Sequence, residues 1–454
     1  MKRILFRCQV VGVLATAAFY VQSVDAQEQK AKPVHYTVTD LGLLNSVNPG
    51  PLVIENNGLI AETVEVSNAL HAAISFLGTT IDLAKTGGLG GSNSAAFGVN
   101  ERGQAVGAAE TADSNTEDFC GFGIQRVCEA FIWQNGVMSA LPLLKDAYGV
   151  TGKNAAAKGI NIFGQVAGTA ENTMADSSCT LNTYEFKPVI WTNGEIQQLP
   201  TSGIDSNGRE FKDADGVVFR INDRGQAVGA TGKCTNFTGF SYLNGQHATL
   251  WQNGSVIDLG NLGGIAAPPP ATGLGSIGNF AYYVNRSGHV VGTSGTSDGS
   301  FHAFLWTPET LIQDVGTIPA NGTTPADVAS IGLSINDHGD IGGISFPAGS
   351  LLASPTAAPR AFIRPNGGTM VDLNALVTGD TGLQLITACS INSRGEIIGL
   401  ALDNEFNLHG YLATPSDGEE DPSAELSAAN KSARFGYALG VARQRMGWAL
   451  RGQR

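Results

Sequence analysis

A short unit returns seven times along this chain, and it constrains the fold more than any other feature. Its first part reads I-N-x-x-G-x-x-x-G, and the clearest copy spans residues 221–229. Its second part is a strand-like run such as residues 302–306, and Asn-Gly and D-L-G-like runs follow in several copies. Internal repeats of this kind are typical of solenoids, propellers and arrays. Each unit is therefore expected to pack mainly on its neighbours.

Each unit predicts a four-stranded antiparallel meander. N-x-x-G between two apolar runs is typical of a tight hairpin, because Asn starts the turn and Gly supplies the positive φ. Asn-Gly predicts a second hairpin between the third and fourth strands. Successive N-x-x-G glycines lie 45, 61, 61, 63, 51 and 56 residues apart. The Asn position is occupied by Asn100, Asn161, Asn222, Asn285, Asn336 and Asn392, and by Glu55 in a degenerate first copy.

The two ends of the repeat region complement each other. No fourth strand follows residues 411–413, whereas residues 36–42 form a strand-like run before the first unit. A last blade that shares strands from both ends explains both observations, and propellers leave only short, protected edges. We predict an all-β fold, a β-propeller of four-stranded antiparallel blades closed by the N-terminal strand. Seven blades are expected, and six or eight stay open because the first copy is weak.

The third strand carries the tripeptide His-Ala-Phe at residues 302–304, with partial matches at residues 247–248 and 71–72. Over about residues 36–413 the repeat resembles the HAF family of bacterial extracellular repeat proteins. The resemblance implies export and a propeller-like β array. It implies no established activity, so it assigns no catalytic residue to this chain. Lys187 and Arg360 replace the His in two copies, which argues against an essential ligand role for it in every blade.

Aromatic and histidine residues recur at fixed places in the third strand. A repeated Trp is expected to be a packing anchor rather than a ligand platform, because aromatic side chains bury the largest areas. Histidines that recur one per blade are interpreted as structural, since a catalytic histidine is normally unique. The residues concerned are Trp133, Trp191, Trp251 and Trp306, and His71, His247, His302 and His409.

The chain divides into four predicted segments. Lys2, Arg3 and Arg7, followed by an apolar stretch and a small-residue cleavage pattern, predict a signal peptide over residues 1–26 and hence a secreted protein, either extracellular, at the cell surface or periplasmic. The propeller is assigned to residues 27–414 and an acidic linker to 415–422. Residues 423–454 predict a short basic amphipathic C-terminal helix or a disordered tail. That tail could contact a membrane or a partner, and it could also fold back on the propeller.

Charge and cysteine content limit the partners. The formal net charge is −13, and loss of residues 1–26 would bring it to −15, which disfavours nucleic acid. Five cysteines would then remain, so at least one is unpaired or intermolecular. The easiest disulfide joins Cys120 and Cys128 within one loop. Cys179 with Cys234 stays open, as does the state of Cys389.

Loop length divides the two faces of the predicted propeller. The tight turns share one face, which we call the turn face. The other, called the long-loop face, receives the loops between second and third strands and the connections between blades. Long loops on a rigid scaffold commonly carry binding residues. The long segments are residues 108–128, 145–155, 169–186, 201–216, 230–246, 261–279, 317–330 and 344–359.

Two long loops contain candidate ligand-binding residues. The segment 201–216 is rich in oxygen-bearing side chains, which suggests a calcium site, because calcium takes six to eight oxygen ligands. A solvated hydrophilic turn is the favoured alternative. The segment 230–246 contains three aromatic residues. If exposed, they would stack on sugars or on a partner protein; if buried, they would anchor the loop, and burial is favoured. The calcium candidates are Asp205, Asn207, Asp213 and Asp215. The ligand-face candidates are Phe237, Phe240, Tyr242 and Glu210.

The sequence favours a binding function over catalysis. It contains no H-E-x-x-H, G-x-S-x-G or P-loop, and the G-x-G-x-x-G at residues 273–278 lacks a βαβ context. We therefore expect a secreted, non-enzymatic propeller that binds a protein or a glycan through its long-loop face. The alternatives are a polysaccharide hydrolase or lyase that uses Glu210, Asp213 and Asp215, and a structural surface protein. No catalytic or cofactor-binding residue is assigned, and the ligand and oligomeric state stay open.

Overall fold

A computed structural model describes residues 34–44, 52–76, 78–146, 148–176, 184–237, 240–264, 278–322, 324–350 and 358–416. Within them the chain forms seven four-stranded antiparallel sheets, which are the blades of a β-propeller. The prediction of an all-β, seven-bladed fold is confirmed. The predicted signal peptide, nearly all of the acidic linker and the predicted C-terminal helix lie outside the described residues. Among the described residues no helix is long and apolar enough to cross a membrane.

The first three complete blades follow the repeat in chain order, after an N-terminal strand, β1 (His35–Leu43). Blade 1 contains β2 (Val53–Ile54), β3 (Ile60–Val66), β4 (Ala69–Phe76) and β5 (Thr79–Asp82). Blade 2 contains β6 (Gly90–Val99), β7 (Ala105–Ser114), β8 (Arg126–Gln134) and β9 (Val137–Ala140). Blade 3 contains β10 (Ala155–Ile160), β11 (Val166–Ala175), β12 (Tyr184–Thr192) and β13 (Glu195–Gln198).

The remaining blades begin after a small extra hairpin of β14 (Ser202–Ile204) and β15 (Glu210–Lys212). Blade 4 contains β16 (Asp215–Ile221), β17 (Ala227–Phe237), β18 (Phe240–Gln252) and β19 (Ser255–Asp258). Blade 5 contains β20 (Phe280–Val284), β21 (Val290–Gly295), β22 (Phe301–Thr307) and β23 (Leu311–Gly316). Blade 6 contains β24 (Ala329–Ile335), β25 (Ile341–Phe346), β26 (Arg360–Arg364) and β27 (Val371–Asp372), followed by a 3-10 helix at Leu373–Leu376.

The seventh blade joins both ends of the repeat region. Its first three strands are β28 (Gln384–Ile391), β29 (Ile397–Leu402) and β30 (Leu408–Ser416), and β1 pairs with β30 as the fourth. Val38 is opposite Ala413, and Thr39 is opposite Leu412. The predicted closure of the ring by the N-terminal strand is therefore present. The first strands of successive blades contact one another around the whole ring and surround a central channel.

The N-x-x-G motif forms the turn between the first two strands. In blade 4, Asn222 Oδ1 accepts hydrogen bonds from the backbone N–H groups of Arg224 and Gln226, each at 3.0 Å. The backbone N–H of Gly225 donates to Asn222 O at 3.0 Å. Gly225 has φ +74°, a conformation that a side chain disfavours. These requirements explain why the repeat retains both Asn and Gly.

The last glycine of the repeat is required by packing rather than by its backbone angle. A Cβ atom on Gly229 would lie 1.9 Å from Val217 O on the neighbouring first strand. The equivalent glycines of blades 2, 3, 5, 6 and 7 meet a backbone oxygen at 1.8–2.1 Å. Blade 1 has Glu62 at this position, and its first strand is only two residues long. The short strand explains how one copy can lack the glycine.

The tryptophans and histidines hold structural positions. The four motif tryptophans are buried, and Trp251 Nε1 donates to Pro200 O at 2.8 Å. Their predicted role as packing anchors is confirmed. Three motif histidines pair with an Asp of the fourth strand of the same blade, a contact that we call the His–Asp clasp. The Nδ1–carboxylate distances are 2.9 Å for His71–Asp82, 2.9 Å for His302–Asp314 and 3.0 Å for His409–Asp40.

Two segments predicted as loops are instead strands. Within the predicted loop 230–246, residues 230–237 continue β17 and residues 240–246 continue β18, with Thr235 opposite Tyr242 and Phe237 opposite Phe240. Their Thr- and aromatic-rich sequence suits a continued β ladder. Residues 201–216 contain the β14–β15 hairpin. The loop prediction is wrong for these parts of the long-loop face, which are built of hairpins.

One of the two disulfides considered from the sequence lies wholly within the described residues. Cys120 and Cys128 form a disulfide with a Cα–Cα distance of 6.2 Å, as predicted. Cys234 is also disulfide-bonded, while Cys179 lies outside the described residues. Cys389 is a free thiol whose pKa is raised by burial. The disulfides therefore stiffen segments of the long-loop face.

Candidate functional site

A ring of asparagine side chains surrounds the channel at the turn face. Each Nδ2 donates to the backbone oxygen at the same position of the next blade, so the contacts run continuously around six of the seven junctions. The distances are 2.9 Å for Asn100 to Asn161, 3.0 Å for Asn161 to Asn222, 2.9 Å for Asn222 to Asn285, 3.0 Å for Asn285 to Asn336, 3.2 Å for Asn336 to Asn392 and 3.1 Å for Asn392 to Glu55.

The residues that follow this ring line the mouth of the channel. Arg286 donates from Nη2 to Glu101 Oε1 and from Nε to Asp223 Oδ2, both at 3.0 Å, and its Nη1 lies 3.7 Å from Asp337 Oδ2. Glu101 belongs to blade 2 and Arg286 to blade 5, so this side chain reaches across the mouth. Hydrogen bonding to Asp223 and the nearby carboxylates raise the pKa of Arg286, although burial opposes this. One arginine therefore faces three carboxylates, which leaves the mouth with net negative charge.

Glu55 replaces asparagine in the ring and is its one carboxylic acid. Burial raises its pKa to about 8, and repulsion from Glu101 acts in the same direction. At neutral pH the Glu55 side chain is therefore mainly protonated and able to donate a hydrogen bond.

Below the ring the channel holds a second charged layer. Arg220 Nη1 donates to Lys158 O at 2.7 Å and to Phe219 O at 2.8 Å, and its guanidinium carbon lies 5.5 Å from the centre of the Tyr283 ring. In the two preceding blades, Cβ atoms on Gly98 and Gly159 would lie 3.1–3.3 Å from the backbone of the next blade, so the first strands approach each other closely there. Both glycines line a pocket of the channel together with Glu55, Arg220 and Tyr283.

Bulges in the first strands of four blades place a third layer of side chains beneath Arg220. The strand register shifts at Lys158, Phe219 and Tyr282, as well as at Phe97 in blade 2. Lys158 Nζ lies 3.8 Å from the centre of the Phe97 ring, and the rings of Phe219 and Tyr282 are 5.2 Å apart. Burial, and secondarily Arg220, lowers the pKa of Lys158 to about 8. This layer is aromatic with one cation.

The disulfide-bonded loop packs against the aromatic layer. Phe119, next to Cys120, packs against an apolar cluster that contains Phe97 and against a second that contains Phe186. Asp118 stabilises the loop by accepting hydrogen bonds from the backbone of Phe122 and Gly123. The main pocket of the channel lies at the turn face, where Glu55, Glu101 and Arg286 are among its lining residues.

Hydrogen bonds within the protein already engage the carboxylates among the four calcium candidates. Asp205 Oδ1 accepts from the backbone N–H groups of Asn207 and Arg209 at 2.9 and 2.7 Å. Asp213 pairs with His247 at 2.8 Å. Asp215 is buried and accepts from two backbone N–H groups, and burial raises its pKa to about 7. Among the described residues no group of three or more His, Cys, Asp or Glu is arranged to hold a metal. The calcium assignment stays a prediction.

The predicted ligand-face residues lie on two hairpins. Phe237, at the end of β17, is opposite Phe240, at the start of β18, and Tyr242 lies two residues farther along β18. Glu210 is exposed at the start of β15 and pairs with Lys212 at 3.0 Å. Their ligand-binding role stays a prediction.

Three exposed apolar side chains, Tyr148, Val150 and Met174, lie on two segments of the long-loop face that Asp146 and Thr173 join, and we call them the apolar patch. Tyr148 is 93% exposed on a turn between blades 2 and 3. Asp146 Oδ1 fixes this turn by accepting from the backbone N–H groups of Tyr148 and Val150, each at 2.8 Å. Asp146 Oδ2 accepts from Thr173 Oγ1 at 2.5 Å, which ties the turn to the segment that carries Met174. Hydrogen bonds to Asp146 thus hold the backbone segments that present these exposed apolar side chains.

The repeat pattern alone does not identify the channel residues. These residues could have been found as departures from the repeat. Arg220 and Tyr283 occupy the position at which two other blades have Gly98 and Gly159. Arg286 is the one basic residue that directly follows a ring position in the sequence. Comparison with models of protein families gives no match. Comparison with curated proteins gives none either.

Proposed function

We propose that this protein is a secreted, non-enzymatic propeller that binds a partner protein through its long-loop face. The observation that carries the proposal is the apolar patch of Tyr148, Val150 and Met174 on a turn fixed by Asp146. Preorganised exposed aromatic and thioether side chains are common in protein interfaces. A glycan is the second ligand class that the sequence predicts, and the crosslinking experiment below separates the two.

Export is part of the same proposal. The basic and apolar N-terminal segment supports a signal peptide, and the Cys120–Cys128 disulfide suits an oxidising compartment. The resemblance to HAF repeats points the same way. Amino-terminal sequencing of protein recovered from the medium tests this part: a start at Gln27 supports it, and an intact Met1 contradicts it.

The contacts of the three candidate catalytic carboxylates favour binding over polysaccharide cleavage. Glu210 is paired with Lys212, Asp213 with His247, and Asp215 with two backbone N–H groups. A hydrolase of the usual type needs two carboxylates that flank one scissile bond. Polysaccharide turnover by the pure protein that is abolished by Asp213→Asn would overturn the non-enzymatic part of the proposal.

Site-specific photocrosslinking tests the partner surface. A benzophenone amino acid at position 148 is compared with the same group at Phe163, an exposed aromatic residue on the turn face. In the extracellular fraction of the source organism, we expect a defined crosslinked protein from position 148 only. The product should disappear when Met174→Asp is added. Equal products from both positions, or glycan-array binding that Tyr148→Ala removes without any protein crosslink, would contradict a protein partner at this patch.

A further inference from the structure

Arg220 in the channel is a half-buried arginine that forms no ion pair with any described residue. Arg220 Nη1 donates hydrogen bonds to two backbone oxygens. The Nε atom of Arg220 is buried and has no hydrogen-bond partner among the described residues. No carboxylate in the described part of the chain lies within 4.0 Å of it. Buried charges and buried N–H groups are costly unless something satisfies them. A bound anion would satisfy both.

The surroundings of Arg220 form a pocket rather than a packed core. Gly98 and Gly159 remove side chains from one wall, and Tyr283 and Glu55 line the same space. Glu55 lies near Arg220 without forming an ion pair among the described contacts, and burial keeps its carboxyl mainly protonated at neutral pH. Arg220 can therefore act as a charged donor, with the carboxyl of Glu55 as a neutral donor in the same pocket. A single carboxylate is the ligand group that this combination suits.

The mouth selects against ligands with more negative charge. Glu101, Asp223 and Asp337 surround the single cation Arg286 directly above the pocket. Their net negative charge repels phosphate and dicarboxylates and attracts an ammonium group. The charge thus changes sign along the channel axis, from negative at the mouth to positive at Arg220.

We propose that the channel below the asparagine ring binds a small zwitterion, with its carboxylate on Arg220 and its ammonium group directed to the carboxylates of the mouth. Free amino acids of the ω-amino type have this chemistry. The site is separate from the long-loop face, and it is independent of the partner-binding proposal.

Calorimetry with defined probes tests the site. The probes are glycine, β-alanine, γ-aminobutyrate and 5-aminovalerate, with propionate and propylamine as single-charge controls, all titrated into the full mature protein. We expect one zwitterion of the series to bind with a 1:1 stoichiometry and an affinity about tenfold above that of either control. Binding by none of the zwitterions, or equal binding of propylamine, would overturn the proposal.

Variants separate the pocket from the mouth. Arg220→Gln should reduce the affinity for the best zwitterion by about tenfold or more, because the charged donor is lost. Arg224→Gln is the matched control: Arg224 is an exposed arginine of the same blade whose Nη1 contacts Ser287 O at 3.2 Å, outside the pocket. If Arg220→Gln does not fold, Tyr283→Phe supplies the second test. Affinity unchanged in Arg220→Gln, or in Tyr283→Phe where the former does not fold, would contradict the assignment.

The pH dependence provides an independent readout. Glu55 is faced by Glu101, Asp223, Arg220 and Arg286, as well as by Tyr283. Deprotonation of Glu55 near pH 8 would place a negative charge beside the ligand carboxylate, so affinity should fall as the pH rises from 7 to 9. Glu55→Gln keeps a neutral donor and should show a clearly smaller fall over this range. The part that remains comes from Lys158, whose pKa is also about 8 and whose positive charge near Arg220 is lost as the pH rises. An equal fall in both proteins would assign the titration to another group and remove Glu55 from the site.

Discussion

Val38 is opposite Ala413 in the antiparallel pair that closes the ring, so residues from the two ends of the repeat region share one blade. The same strand carries Tyr36, which is buried in the core of blade 7. Closure thus combines backbone hydrogen bonds with apolar packing.

Deleting residues 34–43 is expected to lower the free energy of unfolding by about 3–5 kcal/mol, because Tyr36 loses its burial and β30 becomes an exposed edge. Thermal and urea unfolding of the mature protein and the deletion variant measure the difference. A synthetic peptide of residues 34–44 added in excess should restore part of the melting temperature, whereas a scrambled peptide should not. Unchanged melting after the deletion would show that the ring does not depend on β1.

The glycine at the end of the repeat motif offers a sharper test of packing. Gly229→Ala would bring Cβ to 1.9 Å from Val217 O, so the variant should lose about 3 kcal/mol or more of stability. Gly254→Ala is the matched control, because Gly254 has φ +76° and a Cβ atom there would meet no other atom within 4 Å. That control should lose only about 1 kcal/mol from backbone strain. Equal losses in urea unfolding would contradict the steric explanation.

The repeat predicts the scaffold well because the same residue serves the same purpose in nearly every blade. Asn222, Gly225 and Trp251 each satisfy a local requirement that recurs, namely a turn, a positive φ and a buried aromatic anchor. The channel chemistry is different, since Arg220 and Tyr283 occur once each at positions that are otherwise small. A bulge precedes both, so simple alternation along the strand does not tell which side chain faces the channel.

The long-loop face shows the same limit. Exposure of Tyr148 depends on the turn that Asp146 fixes, and the sequence of this turn has no repeat to identify it. The extension of β17 and β18 is hard to predict for a related reason: the sequence between Phe237 and Phe240 is Thr-Gly, which has the composition of a loop.

The asparagine ring is expected to contribute strongly to stability. Asn222→Ala removes donors to Asn285 O and to Gln226 Oε1 and two bonds accepted within the turn, so we expect a loss of about 2–4 kcal/mol. Arg224→Ala in the same turn removes one exposed contact and should change stability by less than about 0.5 kcal/mol. Chemical denaturation at pH 7 compares the two. A loss in Asn222→Ala no larger than that in Arg224→Ala would show that the ring is dispensable.

Glu55→Asn is expected to stabilise the protein, since it restores the repeat residue and removes a half-buried carboxylic acid. The pKa of Glu55 is about 8 in the folded protein, against about 4.3 in the unfolded chain, so the folded state binds the extra proton between these values. Wild-type stability should therefore fall, relative to the variant, as the pH rises from about 4.5 to 8. We expect a relative gain of about 1–2 kcal/mol for Glu55→Asn at pH 8. A gain of the same size at pH 4.5 would attribute the effect to packing rather than to charge.

The His–Asp clasp also predicts pH-dependent stability, but here the charged form of the titrating side chain stabilises the fold. Hydrogen bonding to Asp314 raises the pKa of His302, so its stabilising effect is complete below the unfolded value of about 6.5 and is lost as the pH rises through the folded value. Both side chains are partly exposed, so His302→Gln should cost only about 0.5–1 kcal/mol at pH 5.5 and less at pH 8.5. A double-mutant cycle with Asp314→Asn, measured by urea unfolding at both pH values, isolates the pair. A coupling energy that is equal at pH 5.5 and pH 8.5 would show that the clasp acts as a neutral hydrogen bond.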